Sequence, residues 1–251
     1  MLYGICPQSI VALRSAPDDG TEMISQLLYG EHFKILEYRK KWSRIRMAFD
    51  DCEGWVKNLQ ILQISEDVYL KIDGEEFTKY ATDLIAHVCP DGNNTLQPVV
   101  LGSVLVNSKS FKTNFEGDST SGIRDKSCLI DTALLYLKAP YLKGGKTPFG
   151  IDCSGFTQMV YRLNGHHLFR EAEQQSKQGD ALSFIEESEP GDLAFFDNNE
   201  GVIDHVGIML KDNYVIHVHG EVRIDRLDHT GIFNTDEKLY SHPLRVIKKI
   251  I

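Results

Sequence analysis

The character of the sequence changes near residue 125, and this change limits what the chain can fold into. Upstream, short runs with strand character, such as 30–38 and 42–48, alternate with turn sequences rich in Asp, Gly and Pro. Downstream, segments 125–137 and 154–163 carry apolar residues at helical spacing, and strand-like runs return from residue 193. Strands in the first half, and helices followed by strands in the second, predict separate domains, of which the second is α+β.

The strand-like runs of the first half fall into two groups. The first group comprises 4–13, 30–38, 42–48 and 54–56, and the second begins after residue 65, with 99–106 as its clearest member. Each group has the length of a small β-barrel. We therefore predict one barrel at residues 1–65, a second at 66–125 and an α+β domain at 126–251. A short helix at 75–86 is predicted between the barrels.

Charge and cysteine usage exclude several classes of protein. The net charge of −9 is spread along the chain and no basic run exceeds Arg39-Lys40-Lys41, so a surface for nucleic acid is not predicted. The five cysteines are odd in number, widely spaced and form no Cys-x-x-Cys pair, which argues against a disulfide framework and a structural zinc site. We expect no nucleic-acid partner, no metal and no cofactor.

The start of the chain indicates the compartment we expect. Residues 1–20 have no basic start followed by an apolar stretch, and no segment reaches the roughly 18 apolar residues that span a bilayer. The sequence therefore predicts a cytoplasmic protein without a membrane partner. We also expect a monomer.

Cys153 stands where a glycine-containing loop turns into the predicted helix 154–163, with Asp152 as its N-cap. The free N–H groups and the positive dipole end of a helix stabilise a thiolate, so this position is expected to lower the pKa of the thiol. A nucleophile of this kind also needs a base within hydrogen-bond reach. The alternative is a small buried side chain without a chemical role.

Histidines on the predicted strands supply that base. If 211–213 is a tight turn, residues 205, 207 and 209 share a face with 215, 217 and 219, because side chains alternate along a strand. His205 then meets either His217 or His219, and strand parity leaves that choice open. The pattern indicates a cysteine hydrolase with an unassigned third residue.

These residues resemble the motifs of a known family. Segments 140–146, 150–156, 191–196, 205–208 and 215–217 are similar, in order and spacing, to those of NlpC/P60 cysteine peptidases. The resemblance implies a papain-like α+β catalytic domain that cleaves cell-wall peptides beside γ-linked D-glutamate. It makes Cys153 the nucleophile, His205 the general base and acid, and His217 the orienting third residue, with His219 a neighbour.

The same resemblance implies how the oxyanion is held. Tyr141, together with the backbone N–H of Cys153, would stabilise the oxyanion of the tetrahedral intermediate. Two residues depart from the family pattern, because Lys143 stands where Trp is usual and Cys52 where Tyr is common. The first departure affects the packing beneath the site and the second removes a polar contact to the substrate amine.

The first half resembles the bacterial SH3 domains of a dipeptidyl-peptidase subgroup, through segments 21–31 and 51–56. Two SH3-like barrels are then expected before the catalytic domain. The subgroup releases L-Ala-γ-D-Glu from diaminopimelate or lysine in short peptides with a free N-terminal L-Ala, a reaction of murein recycling. Glu22 and Glu171 match positions that bind the substrate ammonium, whereas Asp152 and Ser154 are expected to serve both helix capping and substrate contact.

Two other functions stay open. A wall-cleaving γ-D-glutamyl endopeptidase would use the same thiol but would not require a free amine. A non-catalytic peptidoglycan-binding module would keep the barrels and leave the thiol idle.

Overall fold

A computed structural model describes residues 1–90, 95–106, 113–198 and 200–251. The chain divides into two compact units, each described by itself below. The first unit comprises Met1–Ile123 and Lys143–Thr147, and the second comprises Arg124–Leu142 and Pro148–Ile251. Within the described residues, every helix is too short or too polar to cross a membrane.

A seven-stranded antiparallel sheet builds most of the first unit, in the order β3-β2-β6-β5-β4-β1-β7. Its strands are β1 (Leu2–Ile5), β2 (Ile10–Arg14), β3 (Met23–Leu28), β4 (His32–Tyr38), β5 (Trp42–Met47), β6 (Glu53–Lys57) and β7 (Leu62–Ile64). Period-two alternation explains the core: along β5, Ile45 and Met47 point inward, whereas Arg44 and Arg46 point outward and pair with Glu53. The strands predicted at 30–38, 42–48 and 54–56 are confirmed.

The predicted helix at 75–86 is wrong. The helix is α1 (Glu66–Asp73), which begins at Ser65, whose hydroxyl accepts from the N–H of Val68, and ends at Gly74. Acidic residues in its first turn and Lys71 in its last also suit the helix dipole. The helix therefore lies one segment earlier, where the capping residues are.

Short strands complete the first unit. They are β8 (Tyr80–Ala81), β9 (Ile85–Pro90), β10 (Gln97–Val100), β11 (Thr113–Glu116), β12 (Ser119–Thr120) and β13 (Lys146–Thr147). In the described residues, β10-β9-β11 form one small sheet and β12-β8 another. A second barrel over 66–125 stays a prediction.

Five residues from the second half of the sequence fold with the first unit. In this segment, 143–147, the Lys146 ammonium lies 2.9 Å from the Glu31 carboxylate, and both side chains are 2% exposed. The backbone N–H of Lys146 donates to Gln26 Oε1, and the second oxygen of Glu31 accepts from the N–H of Leu28. Because a buried charge without a partner is costly, this pair fixes the segment strongly.

The second unit is α+β, as predicted, with helices before an antiparallel sheet. Its helices and strands are α2 (Cys128–Leu134), β14 (Gly150–Ile151), α3 (Cys153–Leu163), α4 (Ala172–Gln175), β15 (Asp180–Ala181), β16 (Leu193–Asp197), β17 (Ile203–Met209), β18 (Tyr214–His219), β19 (Glu221–Leu227), β20 (Gly231–Asn234) and β21 (Leu239–Lys249). The sheet order is β15-β21-β16-β17-β18-β19-β20. Helix α3, buried from Ser154 to Leu163, packs against β17.

The hairpin of β17 and β18 positions the histidines. A 3₁₀ turn at Lys211–Asn213 joins the strands, with Asp212 and Asn213 in the left-handed region at φ of 58° and 56°. Gly207 pairs with His217, so residues 205, 207 and 209 share a face with 215, 217 and 219, as predicted. A Cβ at Gly207 would lie 2.9 Å from the Cβ of His217, so only glycine lets the strands approach this closely.

Candidate active site

The position of Cys153 is fixed by the cap of α3. The Asp152 carboxylate accepts from the N–H of Gly155 at 2.7 Å, and the buried Arg170 guanidinium binds both oxygens of that carboxylate, at 3.0 and 2.6 Å. Arg170 also donates to the hydroxyl of Ser154 at 3.0 Å. The capping role predicted for Asp152 is confirmed, whereas substrate contact by Asp152 and Ser154 stays a prediction. Cys153 therefore begins a helix whose start is held by a bidentate ion pair.

The sulfur of Cys153 lies against strand β17. Its thiol points to the carbonyl oxygen of Asp204, 3.7 Å away, and the N–H of Val206 donates to it. Those two residues flank His205, so the fold brings the predicted nucleophile beside the predicted base.

The Cys153 thiol is neutral at ordinary pH. Burial, reinforced by the Asp152 carboxylate, raises its pKa to about 12. The shift is opposite to the one expected for a helix start, because partial burial of the side chain and the Asp152 carboxylate both disfavour the thiolate. Ionisation then depends on proton transfer to a neighbouring base.

Three buried side chains form a hydrogen-bonded row behind that sulfur. His205 Nε2 lies 2.9 Å from His217 Nδ1, and His217 Nε2 lies 3.0 Å from Asp225 Oδ2. His205 is 6%, His217 0% and Asp225 2% exposed. Burial lowers the pKa of both histidines, so both rings are neutral at ordinary pH. The row brings His205 and His217 into hydrogen-bond contact. The role of His217 as the orienting third residue stays a prediction.

Two more histidines surround the row. The ring of His242 stacks on His205 at 4.0 Å between centroids, with 22° between the planes, and its Nδ1 lies 2.8 Å from the Ser241 hydroxyl. The ring of His219 lies 6.4 Å from that of His217. His219 is thus a neighbour and not a link in the row.

The cluster does not suit a metal ion. Ring nitrogens of His205, His217 and His242 lie within 4.8 Å of one another. A histidine binds a metal through a lone pair in its ring plane, whereas His205 and His242 stack nearly parallel. An ion shared by two rings stacked at this distance and angle would lie well out of the plane of at least one of them, so a shared metal would require at least one ring to turn.

Tyr141 is held beside the loop that leads to Cys153. The N–H of Leu142 donates to Ile151 O, and the N–H of Ile151 donates to Pro140 O, both at 3.0 Å. The side chain of Tyr141 is 49% exposed, and its backbone N–H donates to Gly220 O. Backbone hydrogen bonds therefore hold Tyr141 beside the strand that leads to Cys153, and its role in oxyanion binding stays a prediction.

The two predicted ammonium-binding carboxylates lie in different units. Glu171, on the second unit, is exposed and caps the short helix α4 in a capping box with Gln174. Glu22, on the first unit, is paired with the Lys143 ammonium at 2.5 Å. The lysine that departs from the family pattern therefore neutralises one of the expected carboxylates.

Sequence reasoning missed Arg170 and Asp225. In the segment around residue 171, the sequence pointed only to Glu171. The role of Arg170 depends on its contact with the Asp152 carboxylate, 18 residues earlier in the chain. Asp225 shares its strand face with 221 and 223, a parity the sequence shows, but its approach to His217 is diagonal across two strands and depends on their register.

Profiles of known families match both units. The profile of the NlpC/P60 family matches residues 138–237. The chain carries an NlpC/P60 domain. The profile described as the bacterial dipeptidyl-peptidase Sh3 domain matches residues 13–61, so an SH3 domain precedes the NlpC/P60 domain. The presence of a second SH3 domain stays a prediction.

Curated relatives match the chain to different extents. Dipeptidyl-peptidase 6 of Lysinibacillus sphaericus is 29% identical over 253 residues, 86% of this chain and 88% of that protein. Gamma-D-glutamyl-L-lysine dipeptidyl-peptidase of Bacillus subtilis is 36% identical over 91 residues, 36% of this chain and 30% of that protein. The match therefore spans less than a third of the Bacillus protein.

Solved structures share the fold. An NlpC/P60 family protein from Bacillus cereus has a TM-score of 0.81 at 19% identity, over 99% of both chains. An NlpC/P60 endopeptidase from Photobacterium damselae subsp. piscicida has a TM-score of 0.68 at 15% identity, over 97% of this chain and 70% of that one. The NlpC/P60 domain is accordingly a papain-like domain with an SH3 domain before it.

Proposed function

We propose that the protein is a cysteine peptidase that hydrolyses the bond between γ-D-glutamate and a diamino acid in short cell-wall peptides. The observation that carries this proposal is the juxtaposition of Cys153, at a capped helix start, with the buried pair of His205 and His217. The name of the Lysinibacillus relative and the SH3 profile support a dipeptidyl-peptidase, which releases L-Ala-γ-D-Glu from peptides with a free N-terminal L-Ala.

The chemistry proceeds by general-base and then general-acid catalysis. His205 takes the thiol proton of Cys153 as the sulfur attacks the γ-carbonyl carbon, and the tetrahedral oxyanion accepts from the Cys153 N–H and the Tyr141 phenol. The carbon–nitrogen bond breaks as His205 passes the proton to the leaving amine of diaminopimelate or lysine. Water, deprotonated by His205, then cleaves the thioester, releases the dipeptide and restores the thiol.

Recognition of the free N-terminus requires negative charge. We propose that the carboxylates of Glu171 and Glu22 bind the substrate ammonium. We also propose that Asp152 and Ser154 contact the substrate next to the scissile bond. Short peptides of this kind are products of wall turnover, so we propose a role in murein recycling. Neither proposal involves a metal or a cofactor.

Product analysis of a single variant tests the activity. Cys153→Ala is expected to abolish release of diaminopimelate from L-Ala-γ-D-Glu-diaminopimelate, as measured by mass spectrometry, because the proposed thioester forms on the Cys153 sulfur. Cys128→Ala, which removes a thiol on α2, is the matched control and should retain activity. Full activity of Cys153→Ala would refute the mechanism.

One observation favours an endopeptidase as the second candidate. Because Lys143 pairs with Glu22, one expected ammonium site already holds a cation. A panel of free and N-acetylated peptides separates the two functions. A dipeptidyl-peptidase should lose most of its activity on acetylated peptides, whereas equal rates on both would identify an endopeptidase. Absence of hydrolysis in the whole panel would favour the binding module.

A further inference from the structure

The buried row of His205 and His217 ends on a carboxylate that is itself held rigidly. Arg223 donates through Nε to Asp225 Oδ2 at 2.5 Å and through Nη2 to Oδ1 at 2.9 Å. Asp225 Oδ2 therefore faces two nitrogens, Arg223 Nε and His217 Nε2. Arg223 also pairs with the Asp236 carboxylate at 2.9 Å. The carboxylate is thus fixed in one orientation toward His217.

Asp225 stays ionised at every pH at which the protein would work. Burial acts to raise its pKa, but the hydrogen bonds from His217 and Arg223 outweigh burial and hold the pKa at about 2. An ionised carboxylate accepts hydrogen bonds and has none to donate. The bond between Asp225 and His217 consequently needs the proton on His217 Nε2.

The proton on His217 Nε2 also determines where His205 carries its proton. A neutral His217 with its proton on Nε2 presents a lone pair at Nδ1. The 2.9 Å contact then requires His205 Nε2 to donate to that lone pair. A neutral His205 with its proton on Nε2 has its own lone pair on Nδ1, the nitrogen not engaged by His217. Only this tautomer can take a proton from Cys153.

We propose that Asp225 is a positioning residue that sets the tautomers of His217 and His205 and so leaves the free lone pair of His205 available to the Cys153 thiol. The inference rests on the proposed cysteine peptidase function. Unlike that function, the tautomers of His205 and His217 can be measured in the resting protein. The row is then a tetrad in which the fourth member touches neither substrate nor reacting atoms.

The same placement stabilises the charge that develops during attack. When His205 becomes an imidazolium, the Asp225 carboxylate two links away compensates it in a buried, weakly screened environment. Arg223 offsets the cost of keeping that carboxylate buried in the resting enzyme. Setting the tautomers and stabilising the imidazolium both act through the contact of Asp225 with His217. Loss of either role should lower kcat with less effect on KM.

Histidine-ring ¹⁵N NMR of the full chain tests the tautomers directly. In the wild type, Nε2 of His205 and His217 should give signals of protonated nitrogen, and both Nδ1 atoms those of unprotonated nitrogen. This measurement needs neither substrate nor turnover, so it decides the proposal even if the protein cleaves none of the peptides. A wild-type His217 protonated on Nδ1 would overturn it.

Asp225→Asn provides the kinetic arm. An amide can present either its NH₂ or its oxygen to His217, so the tautomer is no longer dictated, and kcat should fall by up to about 10⁴, the loss caused by a wrong tautomer in the serine peptidase triad. Asp192→Asn is the matched control: Asp192 is equally buried and pairs with Lys126 at 2.7 Å, but lies outside the row. It should lower the melting temperature and leave the tautomers and kcat unchanged. Asp225→Ala removes the acceptor altogether, and a His217 that keeps its proton on Nε2 in that variant, whatever its kcat, would refute a positioning role.

Discussion

Gly207→Ala should disable the histidine row although none of its members is substituted. The new Cβ would lie 2.6 Å from Val215 Cγ2 and 2.9 Å from His217 Cβ. Restoring ordinary contacts of about 3.4 Å requires strands β17 and β18 to separate by about 0.5 to 0.8 Å. The His205 to His217 distance would then grow from 2.9 Å to about 3.4 to 3.7 Å, beyond a useful hydrogen bond.

The two expected effects have different sizes. Overpacking of this kind costs about 1 to 3 kcal/mol of folding free energy, which leaves a marginal domain folded in most cases. A displacement approaching 1 Å within a catalytic group lowers kcat by up to about 100-fold. Urea denaturation measures the first effect, and hydrolysis of a free-amine peptide at saturation measures the second.

A control and a rescue make the test specific. Gly20→Ala is the control, because Gly20 lies outside the left-handed region and meets only the flexible Asp18 carboxylate at 3.2 Å. Adding Val215→Ala to Gly207→Ala removes the closer contact but leaves the one with His217, so stability should recover more than kcat. Wild-type kcat in folded Gly207→Ala would refute the reasoning.

Two further predictions concern the thiol and the carboxylate of Glu22. Because the pKa of Cys153 is raised to about 12, its alkylation by iodoacetamide should increase about tenfold per pH unit from pH 7 to beyond pH 9; a plateau below pH 8.5, measured by mass spectrometry, would contradict this. Lys143→Ala frees the Glu22 carboxylate, so the KM for a free-amine peptide should fall by up to about fivefold, the scale of an exposed ion pair. The KM for the acetylated peptide is the control, and a parallel fall in both would show that Glu22 does not bind the amine.

Local patterns in the sequence predicted the parts of the fold that depend on neighbours in the chain. The start of α3 follows from Asp152 as its cap, and the β17–β18 hairpin from period-two alternation around a tight turn. The helix of the first unit lies at Glu66–Asp73 and not at 75–86, because Ser65 and Gly74 set its limits.

Features that depend on long-range contacts could not be predicted in this way. The buried pair of Lys146 and Glu31 joins residues 115 positions apart, and nothing near Lys146 in the sequence marks its ammonium as buried. The pKa of Cys153 also depends on how deeply the sulfur packs against β17, which no local motif encodes. The diagonal contact of Asp225 with His217 belongs to the same class.

The clamp of Arg170 on Asp152 has a consequence for how the enzyme tolerates change at the nucleophile. The carboxylate next to the sulfur repels the thiolate that must form during attack, and the Arg170 guanidinium, 2.6 Å from that carboxylate, offsets part of the repulsion. The helix cap, the local charge balance and the orientation of Ser154 therefore all depend on one guanidinium. A change at residue 170 would alter three properties at once, so evolution of this site toward other substrates has more freedom at Glu171, one position away, than at Arg170.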